Sequence, residues 1–192
     1  MYFVKRRDEY IDVAGESFRD LLAGRLKSMQ GERATLSDWS NHLTTIFPEV
    51  RLKQFIEMRG ADSGPWRRLP ALPALWVGLL YDDDSLDAAW DLVKHWTAQE
   101  RQQLRDDVPR RGFNATIRNT TVLDLARSCV DIARRGLARR DRNDWSGCDE
   151  TRYLEPIEEY LDRGITPAEQ LLEKYHGPWR GSVEPVFTEY AY

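Results

Sequence analysis

Val50-Arg-Leu-Lys-Gln-Phe-Ile-Glu-Met-Arg59 is where the apolar period of the chain changes from helical spacing to strict alternation. Read as one strand, it points successive side chains to opposite faces. Val50, Leu52, Gln54, Ile56 and Met58 then share a mostly apolar face. Arg51, Lys53, Phe55, Glu57 and Arg59 share the other, where all but Phe55 are charged. Along a straight strand Arg51 and Arg59 stand about 26 Å apart, and Glu57 and Arg59 about 7 Å. A carboxylate on such a face can hold a hard cation such as Mg2+, which keeps waters and binds phosphate oxygens. A guanidinium beside it forks onto phosphate. Both neutralise charge in phosphoryl transfer. Gly60-Ala-Asp-Ser-Gly64 reads as the turn that follows, and Trp66-Arg67-Arg68 adds two guanidinium groups. A half-buried strand with a solvated face alternates in the same way, and the pattern by itself favours that plainer reading.

Upstream, residues 2–6 and 9–13 predict a hairpin turning at Arg7-Asp8. Ser17 caps a helix with apolar positions Phe18, Leu21, Leu22 and Leu26. Thr35-Leu-Ser-Asp38 opens another, expected to run through Trp39, His42, Leu43 and Ile46 and to stop before Pro48. His42 reads as a packed helix residue, and Thr44 and Thr45 as helix-closing groups. Downstream, Leu69 to Leu80 predicts a buried helix beginning near Pro73, because proline suits a first turn. Asp82-Asp-Asp84 reads as an acidic N-cap cluster rather than a metal site. Thr97-Ala-Gln-Glu100 and Thr166-Pro-Ala-Glu169 are capping boxes, and Thr121 to Leu137 repeats apolar residues at helical spacing. Arg134, Arg135, Arg139, Arg140 and Arg142 form a basic run, read as a solvated helix end in preference to a binding patch. From residue 65 onward the expectation is a mostly helical remainder.

The 192 residues carry 28 Lys+Arg against 32 Asp+Glu, a formal net charge of -4, which argues against a nucleic-acid binder. With 41% hydrophobic residues the chain can bury a core. Cys129 and Cys148 belong to no CxxC or Cys/His cluster and read as reduced thiols. No membrane span and no secretory leader is legible, so the expected compartment is the cytoplasm.

One resemblance changes the weighting of the central stretch. Asp38-Trp-Ser-Asn-His-Leu-Thr-Thr-Ile-Phe-Pro-Glu-Val-Arg-Leu-Lys, then Phe55-Ile-Glu-Met-Arg-Gly-Ala-Asp and Gly64-Pro-Trp-Arg-Arg-Leu, resembles the hallmark stretch of plant-type glutamate–cysteine ligases. The likeness continues at Ala71-Leu-Pro-Ala-Leu-Trp-Val-Gly-Leu-Leu-Tyr-Asp, Gly164-Ile-Thr-Pro-Ala-Glu, Tyr175-His-Gly-Pro-Trp and Ser182-Val-Glu-Pro-Val-Phe-Thr-Glu-Tyr-Ala-Tyr.

The resemblance implies ATP- and Mg2+-dependent joining of the glutamate γ-carboxylate to cysteine through a γ-glutamyl phosphate, the first step of glutathione synthesis. The Glu-x-Arg strand of the wider carboxylate–amine ligases maps onto Glu57, as Mg2+ ligand, and Arg59, on the transferred phosphoryl group. Arg51 is implied for ATP or substrate anions, and Tyr2 for the amino-acid substrates. The fold implied is α+β. Residues 1–64 are the strand-containing part of a glutamine-synthetase-like catalytic domain, and residues 65–192 a helical C-terminal region. Family members are much longer. The chain is therefore expected to be a C-terminal part whose N-terminal half, with most of the site, lies upstream as a partner. A truncated, inactive scaffold or partner-binding domain is the alternative. The regulatory disulfide cysteines of plant members fall here on Val13, Ser28 and Pro70, so no redox switch of that kind is expected.

Overall fold

The computed structural model describes residues 1–52, 54–62 and 64–191. Lys53, assigned above to the charged face, Ser63, assigned to the turn after it, and Tyr192 lie outside the described residues. The fold is α+β, and its contacts divide it into two compact units, Met1–Ala61 and Asp62–Tyr192.

In the first unit β1 (Phe3–Arg6) and β2 (Glu9–Asp12) pair antiparallel, with Arg6 opposite Glu9. The turn between them places Arg7 at φ 54°, as expected of a two-residue connection. Ser17 caps α1 (Phe18–Leu22) by accepting from the Arg19 N–H. Leu26 falls beyond this helix, but it packs all the same with Val4, Val13, Leu21 and Met29 in the core of the unit. Among the plant-cysteine positions, Val13 is thus core, and Ser28 Oγ donates to Glu16 Oε1 at 2.5 Å.

Thr35 and Asp38 form both arms of the capping box that opens α2 (Leu36–Thr44). The helix ends two residues short of Ile46. Thr44 Oγ1 donates to the Asn41 carbonyl at 2.6 Å and Thr45 Oγ1 to that of His42 at 2.8 Å, closing its last turn as expected. Asp38 is only 4% exposed and accepts from Arg6 Nη1 at 2.7 Å. Burial alone pushes its carboxyl pKa up, but the hydrogen bonds from Arg6 and Thr35 outweigh that and hold it below the usual value. Removing the guanidinium strands a buried charge. Arg6→Ala is expected to cost about 3 kcal/mol in urea unfolding. A loss under about 1 kcal/mol would show that the Thr35 cap alone satisfies the carboxylate.

The stretch 50–59 is not one strand. It folds back as β3 (Val50–Leu52) and β4 (Ile56–Met58), antiparallel, with Arg51 opposite Glu57. The reason the alternation concealed this is parity. Leu52 pairs with Ile56, so even-numbered residues face even-numbered ones. The same residues share a face whether the chain runs straight or turns back at Gln54 and Phe55.

The second unit is mostly helical. Trp66–Arg68 is a 3-10 turn, followed by α3 (Ala71–Leu80), α4 (Asp83–Val93) and α5 (Ala98–Arg111). Helix α3 starts two residues before Pro73. The first helical N–H groups have no intrahelical acceptor, so a proline at the third position removes no bond. Then come α6 (Val122–Arg140), α7 (Glu155–Arg163), α8 (Pro167–His176) and the short α9 (Val186–Glu189). The mostly helical remainder also holds β5 (Thr116–Ile117) and β6 (Thr120–Thr121), a small antiparallel pair that the sequence reading did not single out, with Arg118 at φ 52° in its turn. Strands of two residues have no period to read.

The core of this unit forms where α3 and α6 cross, with Ala74, Leu79, Val130, Ile132, Ala133 and Leu137 buried beside Leu154 and Leu161. Gly78 and Gly136 lie at the crossing, where the Ala133 backbone occupies the space of a Cβ on Gly78 and the Gly78 backbone that of a Cβ on Gly136. Asp82 caps α4, accepting from the Ser85 N–H at 2.8 Å, as the acidic-cap reading has it. It also accepts from Arg139 Nε at 2.9 Å. Arg134 pairs with Glu158, Arg139 with Asp82 and Arg140 with Glu150, so much of the basic run is neutralised within the fold.

The capping box of α5 is reinforced from outside the helix. Glu100 accepts from Arg118 Nε at 2.7 Å and from the Thr97 N–H at 2.7 Å. Arg118 first, then Thr97, lowers its carboxyl from the usual 4.5 to about 2. A depressed carboxyl stabilises the fold above its unfolded value, and that contribution is lost as pH falls through the folded one. Glu100→Gln should therefore flatten the fall of stability between about pH 4.5 and 2. An unaltered acid limb in denaturant titrations at several pH values would count against this linkage.

Candidate functional site

The β3–β4 hairpin has two unlike faces. Register puts Arg51 against Glu57, and the Arg59 N–H donates to the Glu49 carbonyl at 2.8 Å, extending the ladder by one pair. Glu49, Arg51, Glu57 and Arg59 thus occupy alternate positions on one face, with opposite charges across each pair. Arg51 Nε donates to Glu57 Oε2 at 2.7 Å, and the two side chains stay about a third exposed, at 27% and 31%. The Arg59 guanidinium stacks over the Phe47 ring, 5.2 Å from its centroid, and is exposed. Val50, Leu52 and Ile56, on the other face, are also exposed.

The fold-back brings Arg51 and Glu57 into contact, where a straight strand would have held them far apart. Arg59 keeps its place on their face, two residues beyond Glu57. Tyr2 precedes β1, with its carbonyl accepting from the Val13 N–H at 3.0 Å and its side chain 63% exposed. Arg67 and Arg68 belong to the second unit. There Arg67 forks onto Glu159 at 2.9 and 2.5 Å, and Arg68 lies over Tyr160. His42 stacks on Phe18 at 4.8 Å, and its Nδ1 is buried without a hydrogen-bond partner. That environment fits the packed residue read from the sequence. Cys129 and Cys148 are free thiols, and burial pushes the Cys129 thiol up.

The profile of glutamate-cysteine ligase family 2 matches residues 1–189. The chain belongs to glutamate-cysteine ligase family 2. As a member of that family it is similar along its whole length to curated plant proteins. It is 53% identical to the chloroplastic glutamate–cysteine ligase of Nicotiana tabacum and 52% identical to that of Solanum lycopersicum. It is also 52% identical to the chloroplastic enzyme of Arabidopsis thaliana. In each case all 192 residues align, and they span 36% of the relative's length. The expectation of a cytoplasmic protein is overturned by these comparisons, because each of these relatives is named as chloroplastic. Among the described residues no helix is long and apolar enough to cross a membrane.

Proposed function

We propose that this member of the ligase family contributes the charged hairpin to a site for ATP-driven joining of glutamate and cysteine, the entry step of glutathione synthesis. The observation that carries the reading is the Arg51–Glu57 pair, held at 2.7 Å on a half-exposed face with Arg59 two residues further on. On this reading the strands belong to the sheet of a carboxylate–amine ligase, and Tyr2 lies beside the amino-acid substrates.

The donor set is small. Among the described residues no group of three or more His, Cys, Asp or Glu side chains is arranged to hold a metal. That is compatible with Mg2+, which binds through one or two carboxylates and takes its other ligands from water and phosphate. Glu57 is the residue that would hold it, and bound Mg2+ would neutralise phosphate charge as the γ-phosphoryl group moves to the glutamate γ-carboxylate. On this reading Arg59 grips the transferred phosphoryl group in a forked, charge-assisted contact. Arg51 exchanges Glu57 for a phosphate or substrate carboxylate when ligand is bound. The cysteine amine then attacks the γ-glutamyl phosphate carbonyl and phosphate departs.

The enzyme of full family length, given ATP, glutamate and cysteine, should release ADP and γ-glutamylcysteine in equal amounts. Folded enzyme that turns over none of the three would sink the reading.

A further inference from the structure

Within the second unit, the segment around Arg68, the end of α5 and the first turns of α8 enclose a cleft of about 740 Å3, in the size range of small-molecule sites. One part of its lining is apolar, with Leu69, Leu72, Val108 and Leu172. The other part is lined by Arg68, Arg110 and Arg111.

These arginines differ from several others in the unit. Arg67, Arg118, Arg134 and Arg139 are each engaged by a carboxylate. Among the described residues Arg110 and Arg111 make no ion pair, and Arg68 Nε is buried with no hydrogen-bond partner. Arg68 is also held in place. Its guanidinium lies 5.4 Å from the Tyr160 ring centroid, and it packs so closely on Gly64 that a Cβ there would stand 3.0 Å from Nε. Two carboxylates line the cleft, Asp62 and Glu169. The second is already committed to the α8 cap, accepting from the Thr166 N–H at 2.7 Å and its hydroxyl at 2.8 Å. Three cationic groups against two anionic ones leave the cleft net positive, beside an apolar wall.

We infer that this cleft binds a small organic oxyanion, a carboxylate or phosphate ester carried on an apolar or aromatic body. The oxyanion accepts from the guanidinium N–H groups of Arg110 and Arg111, both exposed, and the body covers the leucine wall. The inference stands without the hairpin reading, because none of its residues lies in the first unit.

Calorimetric titration of the 192-residue chain with 1-naphthyl phosphate and 1-naphthoate tests it, with 1-naphthol and inorganic phosphate as the two half-ligands. At least one naphthyl anion is expected to bind about ten-fold tighter than either half-ligand, and the tighter of the two identifies the preferred head group. The double variant Arg110→Gln/Arg111→Gln should weaken that binding by about five-fold or more. Leu172→Glu, at a position already 53% exposed, should do the same while leaving the helical circular dichroism intact. It carries the test if the double variant fails to fold. Arg59→Gln should leave binding unchanged, so that failure of the hairpin site and failure of this one are told apart. Naphthol binding as tightly as the anions, full affinity in folded Leu172→Glu, or loss of binding in Arg59→Gln would each overturn the proposal.

Discussion

Gly136→Ala is expected to destabilise the helical unit by about 3 kcal/mol, at the upper end of what overpacking in a close-packed core costs. Helix propensity alone argues the other way. Replacing a mid-helix glycine by alanine in α6 should gain about 1 kcal/mol on an open surface. The α3–α6 crossing reverses the sign. The new methyl would fall inside contact distance of the Gly78 carbonyl oxygen and 2.7 Å from Ser85 Oγ. The first obstacle is backbone, which cannot rotate away as a side chain can. The second is a buried hydroxyl that donates to the Ile132 carbonyl at 3.2 Å and accepts from Arg139 at 2.8 Å. The two helices would have to separate and loosen the packing around Ala133 and Leu137. Guanidinium unfolding followed by far-ultraviolet circular dichroism reads the outcome. A midpoint equal to or above that of the parent would show that the crossing has slack.

Glu57→Gln in the enzyme of full family length is expected to lower kcat by about 100-fold or more, the usual loss when a group acting on transition-state charge is removed. Arg59→Lys should cost a similar factor, because an ammonium keeps the charge but loses the planar fork. The same substitutions separate a site from a solvated face. The Arg51–Glu57 pair is about a third exposed, and such pairs contribute no more than about 1 kcal/mol to stability. If Glu57 and Arg51 serve only the hairpin, Glu57→Gln shifts the unfolding midpoint slightly and leaves turnover within about two-fold. A collapse of turnover with a nearly unchanged midpoint is the result that supports the proposed site.

The alternation from Val50 to Arg59 was enough to place Arg51, Glu57 and Arg59 on one face, and it was blind to the turn. Side-chain parity is the same for a straight strand and for a hairpin in which Leu52 meets Ile56. What distinguishes the two is a set of hydrogen bonds across the turn, and these leave no trace in the spacing of apolar residues. The Thr116–Ile117 and Thr120–Thr121 pair was invisible for a simpler reason, since two residues cannot show a period. The basic run from Arg134 to Arg142 looked like free charge, because its partners Glu158, Asp82 and Glu150 lie in other elements of the chain. The cleft around Arg68 escaped the sequence reading altogether. Its arginines come from segments about forty residues apart in sequence and are brought together only by helix packing.

The sequence by itself determined what depends on neighbours three or four residues away. The caps at Ser17, Thr35, Asp82, Thr97 and Thr166 all form where the local pattern placed them. Such bonds close within one helical turn and need no other element. Family membership was legible for a different reason: the residues that resemble the family run along nearly the whole chain and can be compared without any coordinates. Tertiary structure alone decided which charges are neutralised, which arginines stay unpaired, and that Arg51 meets Glu57. Each of those outcomes depends on a contact between groups that spacing along the chain does not relate. The charged stretch that opened the reading is therefore a pair of short strands facing each other, with the Arg51–Glu57 ion pair across them and Arg59 beside it.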